Sequence, residues 1–309
     1  MKTVPSSFAI FLLLLGFATS GQATGLEVKQ VDDNVYAIVG EMGQRSPENL
    51  GNNATFGLIV TDAGAVLVDP GGTYKGAAKL AAVIKAVTDK PVKIVINSGG
   101  QDHRWLGNGY FKEHGARIIA SRAAVKDHHE RANGQLQGLE FLVGKDGTQG
   151  TVAVYADQTF EETLSLDFGG VRFELMATGG SHTPGDAVIW LPESRVAFTG
   201  DMVYLERMLG ISAVSDFKNW IVAFQTMAKL KPLHIVPGHG NPSTLAHATA
   251  DTYDYLVNLN TRISKVLEND GEIADGTAVD QEAFRYLLNF DQLARRNAQE
   301  VFQRLEFDF

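Results

Sequence analysis

The sequence predicts an α/β protein with the architecture of an αββα sandwich, in which two mixed β-sheets pack together and carry helices on their outer faces. Short β-rich runs occur in both halves of the chain and are interleaved with segments of helical periodicity. A Gly-rich turn that carries a His or an Asp follows several of these runs. Because such turns lie at strand ends, we expect their polar side chains to meet at one edge of the sheets.

The first half of the chain contains β-rich runs separated by polar turns. Strands are predicted at Val28–Val31, Val35–Val39, Thr55–Thr61, Ala65–Asp69, Val92–Ile96 and Ala116–Ala120. Apolar residues at helical spacing predict helices over Lys75–Thr88, Trp105–Glu113 and Ala123–Asn133. We expect residues 134–165, which are rich in Gly and Gln, to form only short β pieces.

The second half repeats this alternation and ends in a helical tail. Strands are predicted at Val171–Met176, Ala187–Leu191, Val196–Thr199 and His234–Pro237, with a helix over Lys218–Lys229. The tail, residues 244–309, is predicted to form helices over Thr244–Asn269 and Gln281–Glu306, joined by a Gly- and Asp-rich turn. Its apolar spacing indicates one buried face, which either covers the site or forms a homodimer.

The N-terminus has the pattern of a secretory signal peptide. Lys2 gives a short positive start, Phe8–Ala18 is apolar, and Gly21-Gln22-Ala23 supplies small residues for cleavage. The apolar run is shorter than the roughly 20 residues that a membrane span needs, so we expect residues 1–23 to be removed rather than kept as an anchor. Residues 24–309 are then predicted to form one exported domain in a bacterial periplasm.

Composition narrows the chemistry that this domain can perform. The chain has no Cys, which excludes thiolate metal sites and Cys nucleophiles, so a metal must be held by His, carboxylate or amide groups. The net charge of −9 argues against nucleic acid or an anionic membrane as a partner. We therefore expect a small-molecule substrate, and no membrane insertion once the signal peptide has been removed.

The candidate site residues stand on four turns, namely Asn97–Asn108, Gly180–Asp186, Phe198–Asp201 and Val236–Gly240. In this order the turns resemble the metallo-β-lactamase superfamily, whose members carry a His-x-His-x-Asp-His loop, then a lone His, a lone Asp and a final His. The last three positions are His182, Asp201 and His239 in this chain. The resemblance covers residues 25–309 and implies the same αββα fold, with a metal at one edge of the sheets.

The first loop departs from the family pattern and can be aligned in two ways. Without a gap, Gly99 and Gln101 replace the first two histidines, and His103 and Arg104 fall on the Asp and His positions. Shifted by one residue, the loop keeps Asp102-His103 as the Asp-His pair. We favour the shifted alignment because it retains a dipeptide that the chemistry needs.

The family resemblance implies two metal positions, of which this chain keeps one complete set of ligands. The first position retains His182 and Asp201, with Gln101 as a weak amide ligand. The second position retains four groups, namely Asp102, His103, Asp201 and His239. We therefore expect one tightly bound zinc ion, with iron or manganese as alternatives. Asp69, at the end of a predicted strand, either orients metal ligands or initiates a turn.

The function implied by the resemblance is metal-dependent hydrolysis of an ester, thioester, lactone or lactam bond by activated water. In this hypothesis His182 assists as a partial ligand or hydrogen-bond donor, and Asp102 is either a ligand or the catalytic base. Two alternatives belong to other classes. One is a non-catalytic binding protein, which the changes at Gly99 and Gln101 favour. The other is a mononuclear-iron sulfur oxidoreductase, whose relatives keep the histidines that this loop lacks.

Overall fold

The computed structural model describes residues 25–308, so the predicted signal peptide lies outside the described residues. Within this range, the first half of the chain forms a seven-stranded sheet with its strands in sequence order. The strands are β1 (Glu27–Asp32), β2 (Val35–Val39), β3 (Thr55–Thr61), β4 (Gly64–Val68), β5 (Val92–Asn97), β6 (Arg117–Ser121) and β7 (Gln158–Phe160). Neighbours from β1 to β4 are antiparallel and those from β4 to β7 are parallel, so the sheet is mixed.

The second half of the chain forms a five-stranded sheet in the order β12-β11-β10-β9-β8. Its strands are β8 (Thr163–Phe168), β9 (Val171–Ala177), β10 (Ala187–Leu191), β11 (Val196–Phe198) and β12 (His234–Val236). The β11–β12 pair is parallel and the other pairs are antiparallel. Both sheets are therefore mixed, as the sequence predicts.

Helices lie outside and between these strands. They are α1 (Tyr74–Val87), α2 (Asp102–Trp105), α3 (Asn108–Glu113), α4 (Arg122–Val143), α5 (Lys145–Thr148), α6 (Phe217–Ala228), α7 (Leu245–Ala248), α8 (Asp254–Leu267), α9 (Ile273–Thr277) and α10 (Phe290–Leu305). Short 3-10 turns lie at Gly200–Met202, Glu282–Phe284 and Glu306–Asp308, and a π-helical turn at Thr249–Tyr253 precedes α8. No helix of residues 25–308 combines the length and apolarity needed to cross a membrane.

The hydrophobic core has layers that correspond to a sandwich. Between the sheets, Ile96 and Ile119 from the first pack with Leu175 and Phe198 from the second. The outer face of the first sheet packs against α1 and α3, whereas α6, α8 and α10 cover the second. Burial of apolar area on both faces of each sheet stabilises this order of layers. The αββα sandwich with a helical C-terminal tail is confirmed.

Several helices differ from their predicted bounds; in the tail, α10 begins at Phe290 rather than at Gln281, and α9 lies within the predicted turn. Helix α4 extends to Val143 rather than ending at Asn133, because Leu139 and Val143 pack under the buried Trp105. This burial outweighs the low helix propensity of glycine within the segment. The predicted helix over Trp105–Glu113 is divided into α2 and α3, and the break carries a hydrogen bond from the Gly107 amide to the Gly71 carbonyl at 2.8 Å.

Candidate metal centre

The candidate site lies where strands of both sheets end. His103 follows β5 in the short helix α2, Asp201 follows β11 in a 3-10 turn, and His239 follows β12. The loop after β5 is fixed by a reciprocal amide pair, in which Asn97 and Asn108 each donate to the other's side-chain oxygen at 2.9 Å. Residues that are distant in sequence therefore meet at one sheet edge.

His103, Asp201 and His239 bring three ligand atoms to within 4.8 Å of one another. The Nε2 atoms of the two histidines lie 3.2 Å from different carboxylate oxygens of Asp201. The two rings are nearly perpendicular, with centroids 5.1 Å apart. Each of the three residues is at most 3% exposed. In residues 25–308 this is the one cluster of His and carboxylate groups with a spacing that suits a metal ion.

Asp102 lies beside this cluster rather than in it. Its carboxylate accepts hydrogen bonds from Arg45, and its Oδ1 is 3.1 Å from Nδ1 of His103. Burial by itself raises the pKa of Asp102, but the charge of Arg45 and hydrogen bonds from Arg45 and His103 outweigh it and hold the pKa well below its usual range. The carboxylate is thus ionised, and it holds Arg45, whose Nη2 lies 2.8 Å from the same Nδ1 of His103.

His182 packs against aromatic rings near the cluster. Its Nδ1 lies 3.0 Å from the Gly210 carbonyl oxygen, to which it donates, and its ring contacts Trp220 and Tyr204 at centroid distances of 5.5 and 5.8 Å. Burial lowers the pKa of His182 to about 4, so the imidazole is neutral at pH 7. The hydrogen bond at Nδ1 leaves the Nε2 lone pair available as an acceptor. His182 is not a member of the three-residue group.

The Gly99–Gly100 turn occupies the position where the family pattern has its first histidine. Gly100 donates its amide hydrogen to Thr183 Oγ1 at 2.9 Å. A side chain at Gly99 would overlap the carboxylate of Asp186, and one at Gly100 would overlap that of Asp127. These close approaches require glycine at both positions. The carboxylates of Asp186 and Asp127 thus fill the space beside this turn.

Side chains of helix α4 form hydrogen bonds with the Gly99–Gly100 turn. His128 Nε2 lies 3.0 Å from the Gly99 carbonyl oxygen, and the Gly100 carbonyl accepts from Arg131 and Gln135 at 3.0 and 2.7 Å. The His128 side chain is fully buried and stacks on Trp105. Burial lowers the pKa of His128 to about 4.

Arg104 is the functional residue that the sequence argument missed. It is fully buried, and its guanidinium donates to both carboxylate oxygens of Asp201, at 2.7 and 3.1 Å. The same group donates to Asp69 at 2.9 Å and to the Gly238 carbonyl at 2.7 Å. Burial by itself lowers the pKa of Arg104, but Asp201 and Asp69 outweigh it and raise the pKa above its ordinary value.

The position of Arg104 bears on the alignment of the loop. His103 and Arg104, rather than Asp102 and His103, share the carboxylate of Asp201. This arrangement corresponds to the ungapped alignment and not to the shifted one. The signal in the sequence that could have revealed this role of Arg104 was its residue type, since a buried arginine needs carboxylate partners. Asp69 supplies one such partner and also accepts from the Ser98 amide at 2.7 Å.

The chemistry of the donor set fits one metal ion. Two imidazole nitrogens and one carboxylate oxygen are ligands that zinc accepts, and three protein ligands leave a position open for water or substrate. Asp102 lies 3.1 Å from Nδ1 of His103, but Arg45 contacts the same nitrogen, so this pair differs from a carboxylate that accepts from a metal-binding imidazole. However, Arg104 already neutralises Asp201, and Arg207 Nη1 lies 3.1 Å from Nδ1 of His239. These two cations reduce the affinity of the site for a metal ion.

Comparisons with known proteins agree with the fold. A family model of the metallo-beta-lactamase superfamily matches residues 51–239, more than half of the chain. The chain is similar to metallo-beta-lactamase type 2 of Bacillus sp. (strain 170), with 25% identity over 224 residues that cover 70% of this chain and 76% of that protein.

Two solved structures have a similar fold. A metallo-beta-lactamase from Pontibacter korlensis has a TM-score of 0.62 at 22% identity, covering 75% of this chain and 99% of that one. The stereoselective inverting sec-alkylsulfatase Pisa1 from Pseudomonas sp. has a TM-score of 0.66 at 20% identity, covering 90% of this chain and 50% of that one. The family model and the shared αββα fold show that the chain belongs to the metallo-beta-lactamase superfamily.

Proposed function

We propose that the protein is an exported hydrolase in which one zinc ion serves the cleavage of an ester, thioester, lactone or lactam bond. Membership of the superfamily supports metal-dependent hydrolysis in general. The observation that carries the proposal for this chain is the convergence of His103, Asp201 and His239 in a buried group. With three protein ligands, such a site keeps an open position, as catalytic zinc sites do.

When bound, such an ion polarises a carbonyl oxygen and lowers the pKa of water. The residues of the chain prepare the site for this chemistry. Asp102 holds Arg45 against Nδ1 of His103, and Arg104 fixes both oxygens of Asp201. Because Arg45 binds Asp102 and the pKa of this carboxyl is lowered, Asp102 is a weak general base. We therefore assign Asp102 a positioning role rather than proton transfer.

Burial of the site excludes bulk water from the reacting groups. His182 is 8% exposed and Asp102 is 5% exposed. Arg45, which belongs to the segment between β2 and β3, covers His103 with Nη2 at 2.8 Å from Nδ1. The neutral His182 presents a hydrogen-bond acceptor to the water or substrate that enters.

A non-catalytic binding protein is the second candidate function. The observation in its favour is the Gly99–Gly100 turn, whose neighbours fill the space that an imidazole would need. A protein that lacks one metal position and has a buried Arg104 in the site can keep the fold after it has lost catalytic turnover. Proteins of this kind would bind a small molecule at the sheet edge and leave it unchanged.

Metal analysis and a substrate panel on the purified mature protein test the proposal. We expect about one zinc ion per chain, since one set of protein ligands converges. We also expect turnover of at least one of p-nitrophenyl acetate, a glutathione thioester, an acyl-homoserine lactone and a chromogenic cephalosporin. A chelator should abolish turnover, and added zinc should restore it. Metal binding without turnover of any of the four bond classes would instead support the binding protein.

Export to a periplasm is part of the same proposal and has a separate test. The sequence pattern of residues 1–23 supports it, with Lys2, the apolar run and the small residues before Thr24. Mass spectrometry of the protein from its native host should find a mature N-terminus between Gly21 and Gly25. An intact Met1 in a cytoplasmic fraction would contradict export and leave the proposed hydrolysis unaffected.

A further inference from the structure

A triad of hydrogen-bonded side chains, Ser243, His247 and Asp251, shares no residue with the metal centre. Ser243 Oγ is 2.9 Å from Nδ1 of His247, and Nε2 of His247 is 3.0 Å from Oδ2 of Asp251. The helical segment that follows β12 brings the three groups together, because residues four apart share one face of a helix. A hydroxyl, an imidazole and a carboxylate in this order are the groups that activate a serine nucleophile.

Asp251 fixes the direction of the hydrogen bonds within the triad. Its carboxylate also accepts from the Glu206 amide at 2.8 Å and from the Tyr286 hydroxyl at 2.7 Å. Because a carboxylate accepts hydrogen bonds, Nε2 of His247 carries the hydrogen that faces it. In the neutral imidazole, Nδ1 then presents its lone pair to Ser243, whose hydroxyl donates to it. The imidazole is therefore oriented as a base toward the serine.

The backbone around the triad is held in place. The Ser243 amide donates to the Ile235 carbonyl of β12 at 2.9 Å, and the Ser243 carbonyl accepts from the Ile235 amide at 2.8 Å. Thr244 caps the start of α7 and accepts from the His247 amide at 3.3 Å. Asp251 lies in the π-helical turn before α8, and turns of this kind are rare and occur often at functional sites. The triad is thus preorganised by its neighbours.

The serine and the imidazole of the triad are accessible to a ligand, whereas the carboxylate is not. Ser243 is half-buried, and the side chain of His247 is 39% exposed, against 2% for Asp251. Apolar side chains are exposed on the same part of the surface. Tyr286, whose hydroxyl contacts Asp251, is 61% exposed, and Leu288 is 46% exposed. Exposed apolar groups beside a polar cluster suit a ligand with an apolar or aromatic part.

We propose that Ser243 is the nucleophile of a second, metal-independent esterase site, with His247 as its base and Asp251 orienting the imidazole. The substrate is an ester with an apolar or aromatic part, which Tyr286 and Leu288 contact. Ser243 Oγ attacks the carbonyl carbon, and its proton passes to Nδ1 of His247. The bond to the leaving oxygen then breaks, and the departing alcohol takes this proton. Water activated by the same imidazole releases the acid from the serine.

Reaction of the chelator-treated mature protein with diisopropyl fluorophosphate tests this proposal. Attack of Ser243 Oγ on phosphorus forms a P–O bond, breaks the P–F bond to release fluoride, and passes the hydroxyl proton to His247. We expect about one adduct per chain, which peptide mass spectrometry should place on Ser243. Ser243→Ala should abolish the adduct, and His247→Gln should slow its formation by about 100-fold or more. Asp251→Asn should also slow it, because an amide that donates to Nε2 favours hydrogen on Nδ1.

Ser165→Ala and His114→Gln are the matched controls. Ser165 is an exposed serine on β8, and His114 is an exposed histidine at the end of α3. Both variants should form the adduct at the wild-type rate, and circular dichroism should show that every variant is folded. The proposal is overturned if the wild-type protein forms no adduct on Ser243. It is also overturned if His247→Gln reacts at the wild-type rate, as a purely structural triad would.

Zinc separates this activity from the proposed hydrolysis at the metal centre. Chelation stops turnover at the metal centre only, so hydrolysis of p-nitrophenyl butyrate that persists after chelation and is lost in Ser243→Ala belongs to the triad. If formation of the adduct on Ser243 requires zinc, the second site is overturned while the metal-dependent hydrolase stands. If the chelated protein forms the adduct but added zinc produces no further turnover, the metal-dependent hydrolase fails while the second site stands.

Discussion

Two regions of the site are close in space but differ in form. The first region surrounds Gly99 and Gly100, and the second surrounds His103, Asp201 and His239. Around His103, Asp201 and His239, donor atoms converge with a spacing that suits an ion. Around Gly99 and Gly100, the backbone donates a hydrogen bond to Thr183 and accepts from side chains of helix α4, and added side chains would overlap buried carboxylates. This member of the superfamily thus has one candidate position for a metal and, around the Gly99–Gly100 turn, packed polar groups.

The difference shows that two separate sets of hydrogen bonds hold the loop after β5 in place. In its second half, Arg104 cross-links Asp69, Asp201 and the Gly238 carbonyl. In its first half, the Gly100 carbonyl accepts from two side chains of α4. Neither half depends on an ion for its hydrogen bonds. We therefore expect the folded loop to persist in the metal-free protein.

Removing the Asp201 carboxylate, at the middle of the second region, should have the largest effect on the stability of the protein. Asp201→Ala leaves the buried guanidinium of Arg104 without its bidentate partner. We expect the free energy of unfolding to fall by about 3–5 kcal/mol, as for other broken buried ion pairs. Urea unfolding followed by fluorescence measures the change. Asp102→Ala is the control, with a smaller expected loss because Arg45 is partly exposed. Equal losses in the two variants would contradict a central role for Arg104.

His128 should make the first region sensitive to acid. Its pKa is lowered by burial to about 4, below the value of about 6.5 in an unfolded chain. The unfolded state therefore binds the proton first, so the contribution to stability is complete above pH 6.5 and is lost as the pH falls toward 4. The loss amounts to about 3 kcal/mol.

Urea unfolding between pH 4.5 and pH 7 tests this dependence. The slope of stability against pH should be smaller in His128→Gln than in the wild-type protein. His114→Gln, which changes an exposed histidine at the end of α3, should keep the wild-type slope. An unchanged slope in His128→Gln would show that His128 is protonated equally in both states.

Loss of a ligand from the second region should remove most of the metal. His239→Ala deletes one of the three converging donors, and we expect zinc affinity to fall by about 100-fold or more, beyond the effect of losing an outer hydrogen-bond partner. His182→Ala should cost less metal because His182 is outside the group. Zinc content after dialysis against a calibrated chelator measures both. A larger loss in His182→Ala would place the ion in the first region.

Small substitutions at the Gly100 turn should destabilise the first region. Gly100→Ala places a methyl group against Asp127, and we expect a loss of about 1–3 kcal/mol from overpacking. Gly138→Ala is the control, since it lies in α4 with open space around it and should gain about 0.5–1 kcal/mol. For the same steric reason, Gly99→His should not recruit a second ion. Tight binding of two ions by Gly99→His would refute the description of this region as filled.

Local patterns in the sequence were sufficient to predict the architecture of the fold. Strand-like alternation and helical spacing predicted two mixed sheets flanked by helices, because burial of one face imposes a period on the sequence. The Gly-rich turns correctly placed His103, Asp201 and His239 at strand ends. The extent of α4 was not predictable in this way, since it depends on the contacts of Leu139 and Val143 with distant residues.

The sequence by itself determined the class of fold, the absence of thiolate chemistry and the set of residues that can bind a metal. Tertiary structure decided which of them meet. Asp102 and Arg104 are adjacent to His103 in the chain, yet one faces Arg45 and the other faces Asp201. Helical geometry in α2 turns successive side chains in different directions, and burial requires each charge to find its partner there. Adjacency in sequence carries no information about that choice.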